Sequence, residues 1–197
     1  MPIIASRASA AYGAGFGKTL SSSFAPVGAY DALATITVPS GGAGVVTMTG
    51  IPSTYQHLQI RVSARLTSGV PTNYMWFRLN GESTSSYNLH QWLSMGVTSN
   101  SSYNGVATFG IVERLAGGTA PTNVFGAIIF DIFDYNSSKL KTIKSLGGVE
   151  SNSNNTNGSV YFNGNIFNNA QAVRSIDFAQ ETGNFVENTI ISLYGVK

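Results

Sequence analysis

The chain contains no cysteine. That removes disulfide staples, thiolate metal sites and a cysteine nucleophile together. Charge is the next scarcity. Only 10% of the 197 residues are charged, against roughly 25% in an ordinary soluble domain. The polar surface must then come from Ser, Thr, Asn and Gly. Such a surface suits turn-rich β-structure and gives long helices little of the Glu, Lys and Arg they use. The formal net charge is +2 with the basic residues scattered, too little for a nucleic-acid partner. Lys141 and Lys144, close together in a strand-like segment, are expected on the surface rather than at a phosphate. No apolar run reaches the ~18 residues of a membrane span. The apolar start Pro2-Ile3-Ile4 gives way to Arg7, so no secretory leader is expected. Synthesis in a cytoplasm is expected, without membrane insertion.

What is present is enough for one domain, since 43% of residues are hydrophobic. The chain divides into two parts. Residues 1–29 are rich in Ala, Gly and Ser, with no period of 2 or 3.6. Such a segment cannot bury enough apolar surface to fold alone. It nevertheless carries Tyr12, Phe16, Leu20 and Phe24, and the cations Arg7 and Lys18. A plain linker has no use for large side chains, so these six residues are the candidate partner-binding set of an arm that orders against another protein.

From residue 30 to 197 the pattern is strand, turn, strand. Leu58, Ile60, Val62 and Ala64 alternate with Gln59, Arg61, Ser63 and Arg65, which predicts a half-buried strand with its arginines toward solvent or a partner. Further strands are predicted at Ala34 to Val38, Val46 to Met48, Met75 to Leu79, Thr108 to Leu115, Val124 to Tyr135, Lys141 to Ser145, Ser159 to Phe162, Val173 to Phe178 and Thr189 to Tyr194. Ser40-Gly41-Gly42-Ala43-Gly44, Asn80-Gly81 and Thr182-Gly183-Asn184 carry turn chemistry. Val124 to Phe133 is nearly continuous in apolar residues, so a strand covered on both faces or at a subunit contact is expected there. Eight to ten short strands predict an antiparallel β-sandwich, with jelly roll the leading topology.

Catalytic and cofactor chemistry is sought without success. Gly13-Ala14-Gly15-Phe16-Gly17-Lys18-Thr19 ends like a phosphate-binding loop, but Tyr12 stands where that motif needs glycine. Asp131 and Asp134, three apart, fall on opposite faces of a strand and cannot act as an acid/base pair. Asp134 reads as a strand end entering a turn. Glu113 has no partner carboxylate in sequence. His57 and His90 lack metal-ligand spacing; one histidine per chain meeting at a three-fold axis is the remaining route to a metal. Trp76, Trp92 and several tyrosines are candidates for a sugar platform, although such rings more often serve a core or subunit interface. The expectation is a protein without enzymatic activity, cofactor or resident metal.

The segment Met1-Pro2-Ile3-Ile4-Ala5-Ser6-Arg7-Ala8-Ser9-Ala10-Ala11-Tyr12-Gly13-Ala14-Gly15-Phe16-Gly17 resembles the start of many bacteriophage structural proteins, notably those of cyanophages and other aquatic phages. There a similar start precedes quite different C-terminal domains, which implies an arm that anchors to the virion. The body is similar to phage virion and tail-fibre components through Ile51 to Arg61, Phe77-Arg78-Leu79-Asn80-Gly81, Asn123 to Ile129 with Asp131 to Tyr135, and Ser192-Leu193-Tyr194-Gly195-Val196-Lys197. The resemblance implies a virion-surface location and a structural role: a short trimeric tail fibre or fibre-like adhesin, or else a capsid decoration protein. It implies as partners further copies of this chain and the tail, baseplate or capsid through the arm; it implies no ligand, and a host-surface glycan stands as a separate candidate partner. It carries over no catalytic residue.

Overall fold

Each segment of alternating polarity becomes a strand whose apolar face is buried. The computed structural model describes residues 29–96, 98–150 and 158–197. Among them are twelve strands and no helix: β1 (Tyr30–Thr37), β2 (Val46–Met48), β3 (His57–Ala64), β4 (Thr72–Leu79), β5 (Tyr87–Met95), β6 (Thr98–Ala107), β7 (Gly110–Ala116), β8 (Gly126–Ile132), β9 (Lys141–Val149), β10 (Ser159–Phe167), β11 (Ile176–Gln180) and β12 (Ile190–Val196). The chain divides into units Met1–Tyr30 and Asp31–Lys197. The proposed arm residues Arg7, Tyr12, Phe16, Lys18, Leu20 and Phe24 lie outside the described residues, as does the Gly13 to Thr19 segment.

The strands form an eight-stranded sheet, β1-β12-β3-β8-β9-β10-β5-β6, and a four-stranded sheet, β2-β11-β4-β7. Four pairings are nested one inside another: β1 with β12, β2 with β11, β3 with β8 and β4 with β7. Alternate pairs go to alternate sheets, and the result is a jelly roll. The other four strands are two inserted hairpins. One, β5–β6, lies in the connection between β4 and β7; the other, β9–β10, lies between β8 and β11. Both extend the same sheet beyond β8, with β10 paired to β5.

The core lies between the sheets. Leu58, Ile60 and Val62 of β3 and Ile128, Phe130 and Ile132 of β8 face Met75, Phe77 and Leu79 of β4 and Ile176 and Phe178 of β11, all buried. Phe77 sits at its centre, 4.8 Å from the Phe130 ring and edge-on to Tyr87 at 5.7 Å. Each such side chain contributes roughly 1.5–3 kcal/mol by leaving water. The Asn80-Gly81 turn forms as expected, with φ of 55° and 67° and Glu82 N–H donating to Leu79 O at 3.0 Å.

Beyond β8 the inner face of the widened sheet turns polar, for a structural reason. Strand β7 is an edge of the four-stranded sheet, so its outer carbonyls lack a neighbouring strand. Side chains of the inserted hairpin satisfy them. Ser145 Oγ and Asn163 Nδ2 donate to Val112 O at 3.0 Å each, Asn165 Nδ2 to Ile111 O at 3.1 Å, and Tyr161 OH to Arg114 O at 3.0 Å. This ladder corrects one strand boundary. Asn163-Gly164-Asn165 has the composition of a turn, yet β10 continues to Phe167, because both asparagines bond inward to β7.

Three other expectations change. Strand β8 is not covered on both faces within one chain: Ile128, Phe130 and Ile132 are buried while Ile129 is 44% exposed. Arg65 serves its own fold, donating to the carbonyls of Pro121, Val124, Gly118 and Ala120 at 2.6–3.3 Å. Lys141 is buried rather than on the surface. Its ammonium donates to Ser137 O at 2.7 Å, to Lys139 O and to Ala170 O at 3.4 Å, and burial pulls its pKa down.

Candidate functional site

Strand β10 departs from the usual rule for a sheet packed on one face, with asparagines among its inward residues and large apolar side chains on its outward side. Its inward side presents Tyr161, Asn163, Asn165 and Phe167, and its outward side presents Val160, Phe162, Gly164 and Ile166. Val160, Phe162 and Ile166 are exposed. Phe162 pairs with Trp92 of β5 on one side and Leu146 of β9 on the other, and Leu146 pairs with Ile129 of β8. Four large apolar side chains therefore form a row across four strands, each 44–54% exposed.

The neighbouring row is different. His90 of β5, Gly164 of β10 and Lys144 of β9 stand side by side, followed by Asp131 of β8 and Gln59 of β3. At the β3 end the row is tied together: Gln59 Nε2 donates to Asp131 Oδ1 and Arg61 Nε to Gln59 Oε1, both at 2.9 Å. At the β5 end it opens into a trough. Gly164 has no side chain, and a Cβ there would find nothing within 4 Å. Two cavities meet over it. One, of about 490 Å³, is lined by His90, Trp92, Ser101, Ser102 and Phe162. The other, of about 500 Å³, is lined by Asn88, His90, Thr142, Asn165 and Ile166.

The outer face of the four-stranded sheet has its own aromatic cluster. Trp76 and Phe109 lie 5.5 Å apart, beside a cavity of about 410 Å³ that Tyr74, Ile111 and Glu181 also line. Here arginines lie over the rings. The Arg78 guanidinium sits 4.9 Å from the Trp76 ring centroid and that of Arg114 sits 4.2 Å from Tyr74. Trp76 and Trp92 thus belong to outer faces of different sheets and form no common platform.

The titratable groups singled out in the sequence also lie apart. His57 stands on β3 and His90 on β5, four strands away and so roughly 19 Å across the sheet. His57 Nδ1 accepts the Asp134 N–H at 3.0 Å. Asp134 lies in the turn after β8, at φ 50°. Its ion pair with Lys139, at 2.9 Å, holds its carboxyl below the usual carboxylate range. Asp131 faces outward on β8. Glu113 is fully buried between the sheets, turned inward by a bulge opposite Met75 and Trp76. One of its oxygens accepts from Gln91 and, at 3.0 Å, from Asn163. The other has no partner, and burial pushes the carboxyl up to about 7. A raised carboxyl is a common catalytic device, but this one lacks both a second carboxylate and an opening. Among the described residues no three His, Asp or Glu side chains come together to hold a metal ion.

Sequence reasoning flagged Trp92 and His90 singly and missed Gly164, whose Asn-Gly-Asn setting signals a turn. Strands β5 and β6 were also missed, and with them the wall that completes the trough.

No family model matches the chain, and no curated protein matches it. Among solved structures it is similar to the galectin LEC-6 of Caenorhabditis elegans, at 10% identity over 83% of this chain and 95% of the galectin, with a TM-score of 0.33. It is also similar to the fructofuranosidase of Schwanniomyces occidentalis complexed with fructose, at 10% identity over 86% of this chain, TM-score 0.33; the match spans 34% of that enzyme. A third is the CBM2 module of the evolved Dit of Lactobacillus casei BL23 phage J-1, at 11% identity over 78% of this chain and 69% of that one, TM-score 0.17.

Proposed function

We propose that this chain is a non-enzymatic structural protein of the bacteriophage surface: a short, trimeric, fibre-like adhesin held to the tail by its N-terminal arm and displaying the jelly roll outward. The observation that carries this reading is the apolar outward face of the inserted hairpins. Phe162 and Ile166 face solvent on the strand whose Asn163 and Asn165 face inward. The core has no need of the outward residues, and an exposed apolar row on a rigid sheet is what a binding or subunit face requires. Its Ile129–Leu146 end supplies apolar surface for the trimer.

The arm supplies attachment. Ordering it costs about 1 kcal/mol or more of backbone entropy per residue, and burying Tyr12, Phe16, Leu20 and Phe24 returns roughly 1.5–3 kcal/mol each. Main-chain hydrogen bonds to a partner sheet and three arms acting at once supply the remainder, and Arg7 and Lys18 add charge pairing. Immunogold labelling of intact particles tests the location. Label on the tail supports the adhesin, and label on the head replaces it with a capsid decoration role. Deleting residues 1–24 is expected to leave thermal unfolding unchanged and abolish incorporation; normal incorporation of the truncated chain refutes the arm as anchor.

A further inference from the structure

Resting on the adhesin reading, we infer that the trough over Gly164 is a binding site for an uncharged pyranose of a bacterial surface polysaccharide. Its shape comes from one strand. Phe162, Gly164 and Ile166 are successive outward positions of β10, so the missing side chain leaves a gap between two apolar walls. From Phe162 to Ile166 the strand runs about 13 Å, the span of a disaccharide. Trp92 stands beside Phe162 and His90 beside Gly164.

The chemistry is that of a sugar site. A pyranose has an apolar C–H face and a rim of hydroxyls, so it needs a flat apolar surface next to neutral hydrogen-bonding groups. Trp92 and Phe162 provide the surface, 50% and 47% exposed. Ser101 edges one half of the trough, where the Ser102 hydroxyl is already given to Gln91 Oε1 at 3.1 Å, and Asn88 and Thr142 edge the other. Neither lining contains a carboxylate, lysine or arginine. A charged ligand would lose hydration there with no opposite charge to meet it, whereas a neutral hydroxylated ring exchanges water for hydrogen bonds. The ammonium of Lys144, the other neighbour of Gly164, sits 5.4 Å from the Phe133 ring centroid.

The backbone rules out a common alternative. Strand β10 is paired along its length with β9 and β5, so its main-chain groups are used and a peptide cannot add to it as a further strand. Recognition must be by side chains. The strands that carry them are paired on both sides, so little backbone freedom is lost on binding.

The test is affinity electrophoresis of the full chain in gels containing laminarin, dextran, yeast mannan or a neutral galactan, with alginate as the acidic control. Tryptophan fluorescence titration with the retarding polymer follows. At least one neutral polymer is expected to retard the protein, and more strongly than alginate. Gly164→Val places its Cβ in open space and keeps a strand-compatible residue. It is expected to leave the melting temperature and sedimentation unchanged and weaken binding at least tenfold. Trp92→Ala is expected to do the same, and Trp76→Phe, on the other sheet, to bind normally. Retardation by none of the neutral polymers, stronger binding of alginate, or unchanged binding by Gly164→Val each overturns the site. So does a Gly164→Val chain that binds sugar but has lost its oligomeric state, which would make the trough a subunit contact. Particle labelling keeps this separate from the adhesin reading: tail label without sugar binding removes only the site, and head label with sugar binding removes only the adhesin.

Discussion

Glu113→Gln removes an ionisable proton from the interior and changes little else. The carboxyl titrates near 4.5 when free of the fold, and burial lifts it to about 7 in the folded protein. Between those values the folded state keeps a proton that the unfolded chain has released. Stability is therefore full below about pH 4.5, falls as pH rises to about 7, and stays low above it. At about 1.4 kcal/mol per unit of pKa difference, the loss is ~3 kcal/mol. Glutamine cannot ionise, and its carbonyl oxygen accepts from Gln91 and Asn163 as the carboxylate does. The variant and the parent are expected to lie within ~1 kcal/mol of each other at pH 4.5. At pH 8.5 the variant is more stable by ~3 kcal/mol, or about 6–12 °C in Tm for a chain of this size. Urea unfolding followed by tryptophan fluorescence at pH 4.5, 6, 7 and 8.5 measures both curves. A constant difference across that range would falsify the assignment of a buried, proton-holding carboxyl.

Three further outcomes follow from the same packing. Arg65→Met removes the guanidinium bonded to four carbonyls of the 118–124 loop; unfolding is expected to lose about 3 kcal/mol, since charged hydrogen bonds count for ~1.5–3 kcal/mol each and part of the site stays wet. Limited proteolysis should then cut in that loop first, and an unchanged digestion pattern argues against the clamp. Asn165→Leu leaves Ile111 O without its donor at a sheet edge and is expected to cost ~1–3 kcal/mol in urea unfolding; a neutral result means water reaches that carbonyl. Sedimentation equilibrium is expected to give a trimer that Leu146→Asp, at a site 54% exposed, converts to monomer. A parent chain that is monomeric at micromolar concentration refutes self-association.

The jelly roll was legible because several of its eight nested strands keep a period of 2, as in Leu58, Ile60 and Val62 of β3 and Met75, Phe77 and Leu79 of β4. The insertions were not. Residues 87–107 are rich in Asn, Ser and Gly, and one side of β5 carries His90 and Trp92 where alternation alone predicts small polar groups. Asn163-Gly164-Asn165 was misleading because its asparagines answer to the carbonyls of β7, a partner far away in sequence. Lone charges misled in the same way. Nothing in the residue type marks Lys141 or Glu113 as buried: the partners of Lys141 are carbonyls that the turn before β9 and the loop at Ala170 aim at its ammonium, and those of Glu113 are amides supplied by other strands. The trough was half visible, as Trp92 and His90, but its defining element is a missing side chain, which only the fold makes significant.

The nested pairing also sets when this domain closes during synthesis. Strand β1 pairs with β12 and β2 with β11, so β1 and β2 wait for strands made long after them. Such long-range closure is slow, on the order of milliseconds to seconds, and until it happens β3 lacks β12 along one edge. The segment proposed as the anchor directly precedes β1, the strand ordered last. A chain interrupted before β12 therefore carries an arm on an unfinished, protease-sensitive body. On the proposed virion role, proteolysis of such fragments in the host makes the topology a check on which copies reach an assembling particle.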